Sequence, residues 1–385
     1  METQKIIYLD NSATTALSPE VMNKMTETMA CYGNPSSLHL LGVQAEGVIR
    51  EARASMFAAL GVHNAKAHNL VFTSCGSEAN NMALFGVAYS KPCYKGGRII
   101  TTASEHPSVL ECVKRLERDG FDVVRLPAPG GVIDPEALRA ALNKETFLVS
   151  IMSVNNETGA VYDVGELFSL VKAYNSAIVT HTDAVQGFGK LKLNPVRQKA
   201  DLMTVSGHKI HAPKGIGALW INDETIKTKR IIPWLCGGGQ ESGYRSGTEN
   251  TIGIAAIGEA AKKRVDLDAT AAVREKLIAA LDGIVRVNTP AGKYYAGILS
   301  VTLPDIKSET MLHFLSSRGI FVSSGSACSS NTGHRSYVLA DFGLPDFEAD
   351  CTLRLSFDET LTDEDIAAVG DAFREGVSTL VKIRR

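Results

Sequence analysis

Several things are missing from this chain of 385 residues. No apolar stretch approaches the roughly 20 residues that span a bilayer. Only Ile6-Ile7-Tyr8 follow the polar first five residues, too few for the core of a secretory leader. Paired cysteines are missing too. The seven present are an odd number with no Cys-x-x-Cys, which disfavours a disulfide framework and a zinc ribbon and fits free thiols in a reducing cytoplasm. No charge of one sign dominates: the net charge of -2 gives no electrostatic reason to expect nucleic acid or an anionic membrane as a partner. The basic end, Lys382-Ile383-Arg384-Arg385, reads as a solvated terminus. What remains is ordinary globular composition, 44% hydrophobic and 21% charged, in a chain longer than one core usually supports. Two domains are expected.

From about Glu20 to Gly253, short apolar runs alternate with longer helical patterns. The runs are Leu70-Val71-Phe72, Arg98 to Thr101, Val123 to Leu126, Leu148 to Met152, Ala177-Ile178-Val179, Leu202 to Val205 and Gly217 to Ile221. Strands separated by helices predict a mainly parallel, seven-stranded α/β sheet covered on both faces, with ligands at the carboxyl ends of the strands. The residues that can do chemistry cluster at those ends: Ser74 to Ser77, Glu105-His106, Asn155-Asn156, Asp183 and Lys209. Beyond Gly253 a helical stretch from about Ile254 to Leu281 leads into the strands near Ile298 to Leu303 and Thr352 to Phe357. A last helix follows Thr362-Asp363-Glu364. This reads as a smaller α+β domain. We place the large domain over residues 16–255 and the small one over 1–15 with 256–385.

Each constellation has a bland alternative. Ser74-Cys75-Gly76-Ser77-Glu78 turns a strand into a helix, whose free N–H groups and dipole favour an anion. Equally, it is an ordinary turn with Ser77 as N-cap. His106 at a strand end suits stacking on a flat ring or moving protons, although a histidine capping the next helix is commoner. The run Cys236 to Asn250 carries five glycines, with Arg245 and Thr248 tilting it toward anion contact over a plain surface loop. In Ser323-Ser324-Gly325-Ser326-Ala327-Cys328-Ser329, a thiol stands in a loop of small polar residues, exposed and able to travel as a nucleophile. Arg354 alternates with Leu353 and Leu355 and so faces away from the core, gripping a carboxylate or forming a surface salt bridge. His208-x-x-His211 has metal-like spacing but no third ligand, and is discounted as a zinc site.

Most telling is the pair of strand ends at Asp183 and Lys209. An amine that forms a Schiff base and a carboxylate that pairs with a pyridinium nitrogen are what pyridoxal phosphate requires of a protein. Taken alone, an exposed lysine after a strand is the commoner case.

Together the segments resemble the cysteine desulfurases of the NifS/IscS type, in the class V aminotransferase family of fold-type I pyridoxal phosphate enzymes. The resemblance runs through Tyr8-Leu9-Asp10-Asn11-Ser12-Ala13-Thr14-Thr15, Gly33-Asn34-Pro35-Ser36-Ser37-x-His39 and Val154-Asn155-Asn156-Glu157-x-Gly159. It continues in Ser206-Gly207-His208-Lys209, Gly237-Gly238-Gly239-Gln240-Glu241, Arg245-Ser246-Gly247-Thr248, the Cys328 loop and Arg354-Leu355-Ser356. It implies that Lys209 holds the cofactor, Asp183 pairs with the ring nitrogen and His106 stacks on the ring. Gln186 and Asn156 would contact the ring oxygen. Gly76, Ser77, Ser206 and His208 would hold the phosphate, with Thr248 reaching it from the other subunit of a homodimer. Arg354, with Asn156 and Asn34, would bind L-cysteine, and Cys328 would take its sulfur as a persulfide for an acceptor such as an iron–sulfur scaffold or thiolated tRNA. The small domain would carry the catalytic cysteine loop. No resident metal is implied, and an iron–sulfur cluster would meet Cys328 only in passing. Cys75, where the family has a small residue, and Phe357-Asp358-Glu359-Thr360 depart from the pattern. A selenocysteine lyase stays open, whereas an aminotransferase has no use for Cys328. A sulfur carrier without activity would not need Lys209 and Asp183.

Overall fold

Parity along the strands organises the larger half of the chain. In the computed structural model, which describes residues 5–91, 94–324 and 336–383, the seven apolar runs pair into one sheet. After β1 (Ile7–Tyr8) come β2 (Leu70–Thr73), β3 (Arg98–Thr102), β4 (Asp122–Leu126), β5 (Thr146–Ser150), β6 (Val179–Asp183), β7 (Leu202–Ser206) and β8 (Gly217–Ile221). Their order across the sheet is β2-β8-β7-β6-β5-β3-β4, with only β8 antiparallel to its neighbours. Successive side chains point to opposite faces. Ile100, Val149 and Met203 therefore enter one core, and Ile99, Leu148 and Leu202 the other. The first core is closed by the helices Leu40–Ala59, Val164–Tyr174 and Thr251–Ala260, the second by Gly76–Ala88 and Pro107–Arg118.

One strand lies further along than its apolar residues suggest. β6 takes in the polar Thr180-His181-Thr182-Asp183 rather than Ala177-Ile178, and every residue of it is buried. Polar side chains survive in the centre of a sheet when neighbours satisfy them. His181 does so across both flanks, with Nδ1 2.8 Å from Ser150 Oγ and Nε2 3.1 Å from Thr204 Oγ1. Burial pushes its pKa down to about 4, so the ring stays neutral.

The smaller unit holds β9 (Arg286–Val287), β10 (Ile298–Thr302), β11 (Ile320–Phe321), β12 (Ser323–Ser324) and β13 (Thr352–Ser356). Its antiparallel sheet has the order β12-β13-β10-β9, while β1 pairs in parallel with β11. Ile7 and Leu9 thus lie in this third core, and Val21 already lies in the large one. The single helix expected from about Ile254 to Leu281 is two, Thr251–Ala260 and Leu267–Ala280. The break is sealed by Asp266, whose Oδ1 accepts from the N–H groups of Asp268 and Ala269. The division expected at residue 255 falls inside the first of these helices, whose Ile254, Ala256 and Ile257 belong to the large core. Packing puts the change of core in the connection 262–266. The closing helix Asp363–Thr379 starts on a full capping box between Thr362 and Asp365.

The contact between helices Leu40–Ala59 and Thr251–Ala260 depends on Gly258. A Cβ there would lie 2.6 Å from both Cα and Cβ of Ala52. Gly258→Ala should destabilise the protein by about 1–3 kcal/mol despite the better helix propensity of alanine. Urea denaturation read against the parent would show a lower midpoint, and an unchanged midpoint would refute the close approach.

Candidate active site

Register brings the two chemical strand ends together. Asp183, last in β6, pairs with Thr204 of β7, so the chain leaving β7 through Ser206-Gly207-His208-Lys209 turns beside it. Both line a cavity of about 370 Å³ at the carboxyl ends of the strands. The Lys209 amine donates to the carbonyls of Ser12, at 2.6 Å, and Ala13, at 2.7 Å. Asp183 is 5% exposed, and its oxygens accept from Asn80 Nδ2 at 2.7 Å and from the Val185 N–H at 2.9 Å. Among the described residues it has no ion-pair partner.

One wall is built for an anion. The helix Gly76–Ala88 begins against the cavity, capped by Cys75, whose Sγ accepts from the Glu78 N–H at 3.4 Å. Ser77, the expected cap, instead sits in the first turn and lines the cavity with Gly76. A Cβ on Gly76 would come within 2.9 Å of Val185 Cγ2 and 3.3 Å of Ser206 Cβ, so only glycine lets this turn close over the wall. Ser206 Oγ is buried there without a hydrogen-bond partner. Arg245 Nε donates to Glu78 Oε1 at 2.8 Å, so the anion it meets among the described residues is this carboxylate.

His106 meets both of its readings. It caps the helix Pro107–Arg118 through Nδ1, which accepts from the Ser108 N–H at 3.1 Å, and its ring also lines the cavity. Burial holds its pKa below the ordinary value, against the pull of Asp183. Arg354, on the face of β13 opposite Leu353 and Leu355, is buried, 6% exposed. Its Nη2 donates to Asp10 Oδ1 at 2.7 Å and Nη1 to the Asn156 carbonyl at 3.0 Å, while Nε is buried and unpartnered. Two of the five guanidinium N–H groups are thus engaged, which leaves the Nε–H and one hydrogen on each Nη for an incoming carboxylate. Beyond Ser12 and Lys209 lies a larger cavity of about 630 Å³, shared with Lys190, Tyr295 and Asp358.

Comparison with known proteins decides the relationship. The family model described as aminotransferase class-V matches residues 7–369. The chain belongs to this family. It is 39% identical to a protein of Lactobacillus delbrueckii subsp. bulgaricus called a NifS/IcsS protein homolog, over 96% of this chain and 97% of that one. It is 38% identical to a cysteine desulfurase of Trichormus azollae, over 97% and 94%. A solved structure described as a NifS-like protein superposes with a TM-score of 0.89 at 33% identity, covering 98% of this chain and all of that one. The sheet and its flanking helices are accordingly those of a fold-type I enzyme of class V.

Of the site residues expected from the sequence, Gly76, Ser77, His106, Asn156, Asp183, Gln186, Ser206, His208, Lys209 and Arg354 line the one cavity. Asn34 and Thr248 do not; both are exposed, and Asn34 Oδ1 accepts from the Ser36 N–H. Cys328 lies outside the described residues. No described helix is long and apolar enough to cross a membrane. Three contributors were not foreseen for this class V site. Asn80, one turn beyond Gly76, orients Asp183, and nothing in its local sequence sets it apart from Ser77, Glu78 and Asn81 on the same helix. Asp10 was quoted within a motif without a role. Glu157 stands beside Asn156 in the cavity wall, nearly buried, with Ser336 Oγ donating to Oε2 at 2.6 Å.

Burial pushes the Glu157 carboxyl up to about 7, although Ser336 and Arg354 oppose the shift. In the unfolded chain it ionises near 4.5, so the folded protein binds more protons between these values and loses stability as pH rises through that window. Glu157→Gln should remove this loss, its melting temperature gaining on the parent by the equivalent of a few kcal/mol (~3) from pH 4.5 to 7 and no further above. Parallel pH profiles for the two proteins would contradict the shift.

Proposed function

We propose that this chain is a pyridoxal phosphate-dependent cysteine desulfurase, converting L-cysteine to L-alanine and retaining the sulfur as a persulfide on Cys328. The observation that carries the reading is the convergence on one cavity of Lys209, the helix start at Gly76-Ser77 and Asp183, which has no ion-pair partner among the described residues. The donor set fits the cofactor by its own chemistry. A buried carboxylate without a cation suits a protonated ring nitrogen, the orphan Ser206 hydroxyl and free helix N–H groups suit a phosphate, and an amine between them suits an aldehyde.

When bound, pyridoxal phosphate supplies an electron sink for chemistry at the Cα of an amino acid. The protein's part is placement. Asp183, oriented by Asn80, would hold a proton on the ring nitrogen, and His106 would lie against the ring. Lys209 would hold the aldehyde, and its amine is placed to move the substrate Cα proton as a general base. Arg354 would take the substrate carboxylate through the N–H groups that Asp10 and Asn156 leave spare. Cys328 receives the sulfur as its bond to the substrate carbon breaks, and passes it to an acceptor such as an iron–sulfur scaffold. Thr248, exposed in one subunit, would complete the phosphate site of the other in a homodimer, and the protein would work in the cytoplasm.

Support for the choice of reaction comes from the cysteine desulfurases among its relatives and from a thiol in a run of small polar residues in the sequence. Borohydride reduction of the loaded protein should fix a pyridoxyl group on Lys209, found by peptide mass. Cys328→Ser should keep the visible cofactor band and lose alanine and persulfide formation by a factor on the order of 10³ or more. Full turnover in that variant would overturn Cys328 as the acceptor, and a pyridoxyl group elsewhere would overturn the site.

A further inference from the structure

Lys190 has no task in the desulfurase reading, yet it stands one side chain away from the site. It follows Gln186 by four residues in the turns that leave β6, and it is 7% exposed. Its amine donates to Gln186 Oε1 at 2.7 Å and lies 5.4 Å from the centroid of the Tyr295 ring. Among the described residues Gln186 is its hydrogen-bond partner. Gln186 Nε2 in turn donates to the Ser12 carbonyl at 2.9 Å, the same oxygen that receives the Lys209 amine at 2.6 Å. Lys190, Gln186, Ser12 and Lys209 are therefore joined by consecutive hydrogen bonds.

The direction of these bonds matters more than their number. An ammonium only donates and a backbone carbonyl only accepts, whereas a glutamine amide does both at opposite ends. Between Lys190 and the Ser12 carbonyl the amide has one satisfactory orientation, with its oxygen toward Lys190. Turned over, it would set N–H against ammonium and carbonyl against carbonyl. Held as it is, Gln186 offers its neighbours at the cavity the N–H end, which has a second hydrogen beyond the one given to Ser12. We propose that Lys190 is a positioning residue: by accepting no hydrogen bond itself, it locks Gln186 as a hydrogen-bond donor toward the ring oxygen of the cofactor. The proposal rests on the pyridoxal reading of the cavity.

The charged surroundings of Lys190 shape the test. Lys209 and Arg354 act against its charge and Asp358 favours it, while burial is the largest influence and lowers its pKa to about 7, so the lock, which needs the ammonium, holds below that pH and loosens above it. His208, from the turn after β7, feels it as well. Removing Lys190 therefore also removes a charge near Lys209, and the experiment has to separate that effect from the effect through Gln186.

The visible absorbance of the cofactor-loaded enzyme is to be titrated with pH for the parent, K190M, Q186A and K190M/Q186A, with pyridoxal phosphate affinity measured beside it. Losing one hydrogen bond to a charged oxygen corresponds to about one pH unit in the midpoint of the cofactor band. K190M and Q186A should each shift the midpoint by about that much, and the double variant no further than Q186A. An unshifted K190M midpoint would overturn the proposal. So would a K190M shift that persists in full on the Q186A background, because Lys190 would then act as a bare charge. If K190M does not fold, K190R serves: it too only donates, so it should retain the parent midpoint, and a shift of a full unit would count against the lock. A parent protein that binds no pyridoxal phosphate would overturn the reading of the cavity and this proposal together, whereas the variant results bear on Lys190 alone.

Discussion

A carboxylate taken out of water without a cation beside it costs several kcal/mol unless its surroundings compensate. Asp183 is in that position. Two neutral donors, Asn80 and the Val185 N–H, hold its oxygens at the floor of the cavity, and no basic side chain among the described residues pairs with it. Much of the neighbourhood follows from that constraint. β6 has to carry polar residues through the middle of the sheet to deliver the acid, and so His181 must stay neutral between Ser150 and Thr204. A group that brings a proton-bearing nitrogen to Asp183 relieves the cost and stabilises the folded state by its own binding free energy.

Charge is distributed around that point with some economy. Lys209, Lys190 and Arg354 gather near the cavity, and each is held by oxygens of the N-terminal segment or of the strand-end turns. Residues Asp10 to Ala13 serve as the common acceptor: the Asp10 carboxylate takes Arg354, and the Ser12 and Ala13 carbonyls take Lys209. A segment whose first residues pack in the small core thus positions groups of both cores. Glu157 and Ser336 make a second tie between them, joining the turn after β5 to the residue before the helix Tyr337–Phe342.

Much of this was legible before any coordinates. The central strands β5, β7 and β8 stood out because strands buried on both faces are nearly continuous apolar runs bounded by turn residues. β6 was misplaced because its stability comes from side-chain hydrogen bonds across three strands, which no local pattern displays. The long helix near residue 270 was read as one because Lys262-Lys263-Arg264 continues a helical composition, while the break depends on a cap and on Val265 N–H bonding to the Gly189 carbonyl far away in sequence. Arg354 was placed by strand parity on the outer face, correctly. That face is covered by Asp10 and the turn at Asn156, and parity says nothing of what covers a face.

The sequence by itself determined which residue types stand at the strand ends, and with them the amine, the acid, the imidazole and the glycine turn that the chemistry needs. Only the tertiary structure decided that Asp10 holds Arg354, that Asn80 and Lys190 orient Asp183 and Gln186, and that Arg245 belongs to Glu78. Types and local periods are written along the chain. Hydrogen-bond partners hundreds of residues apart are chosen by packing, when burial forces each polar group to find whatever donor or acceptor the fold has brought within reach.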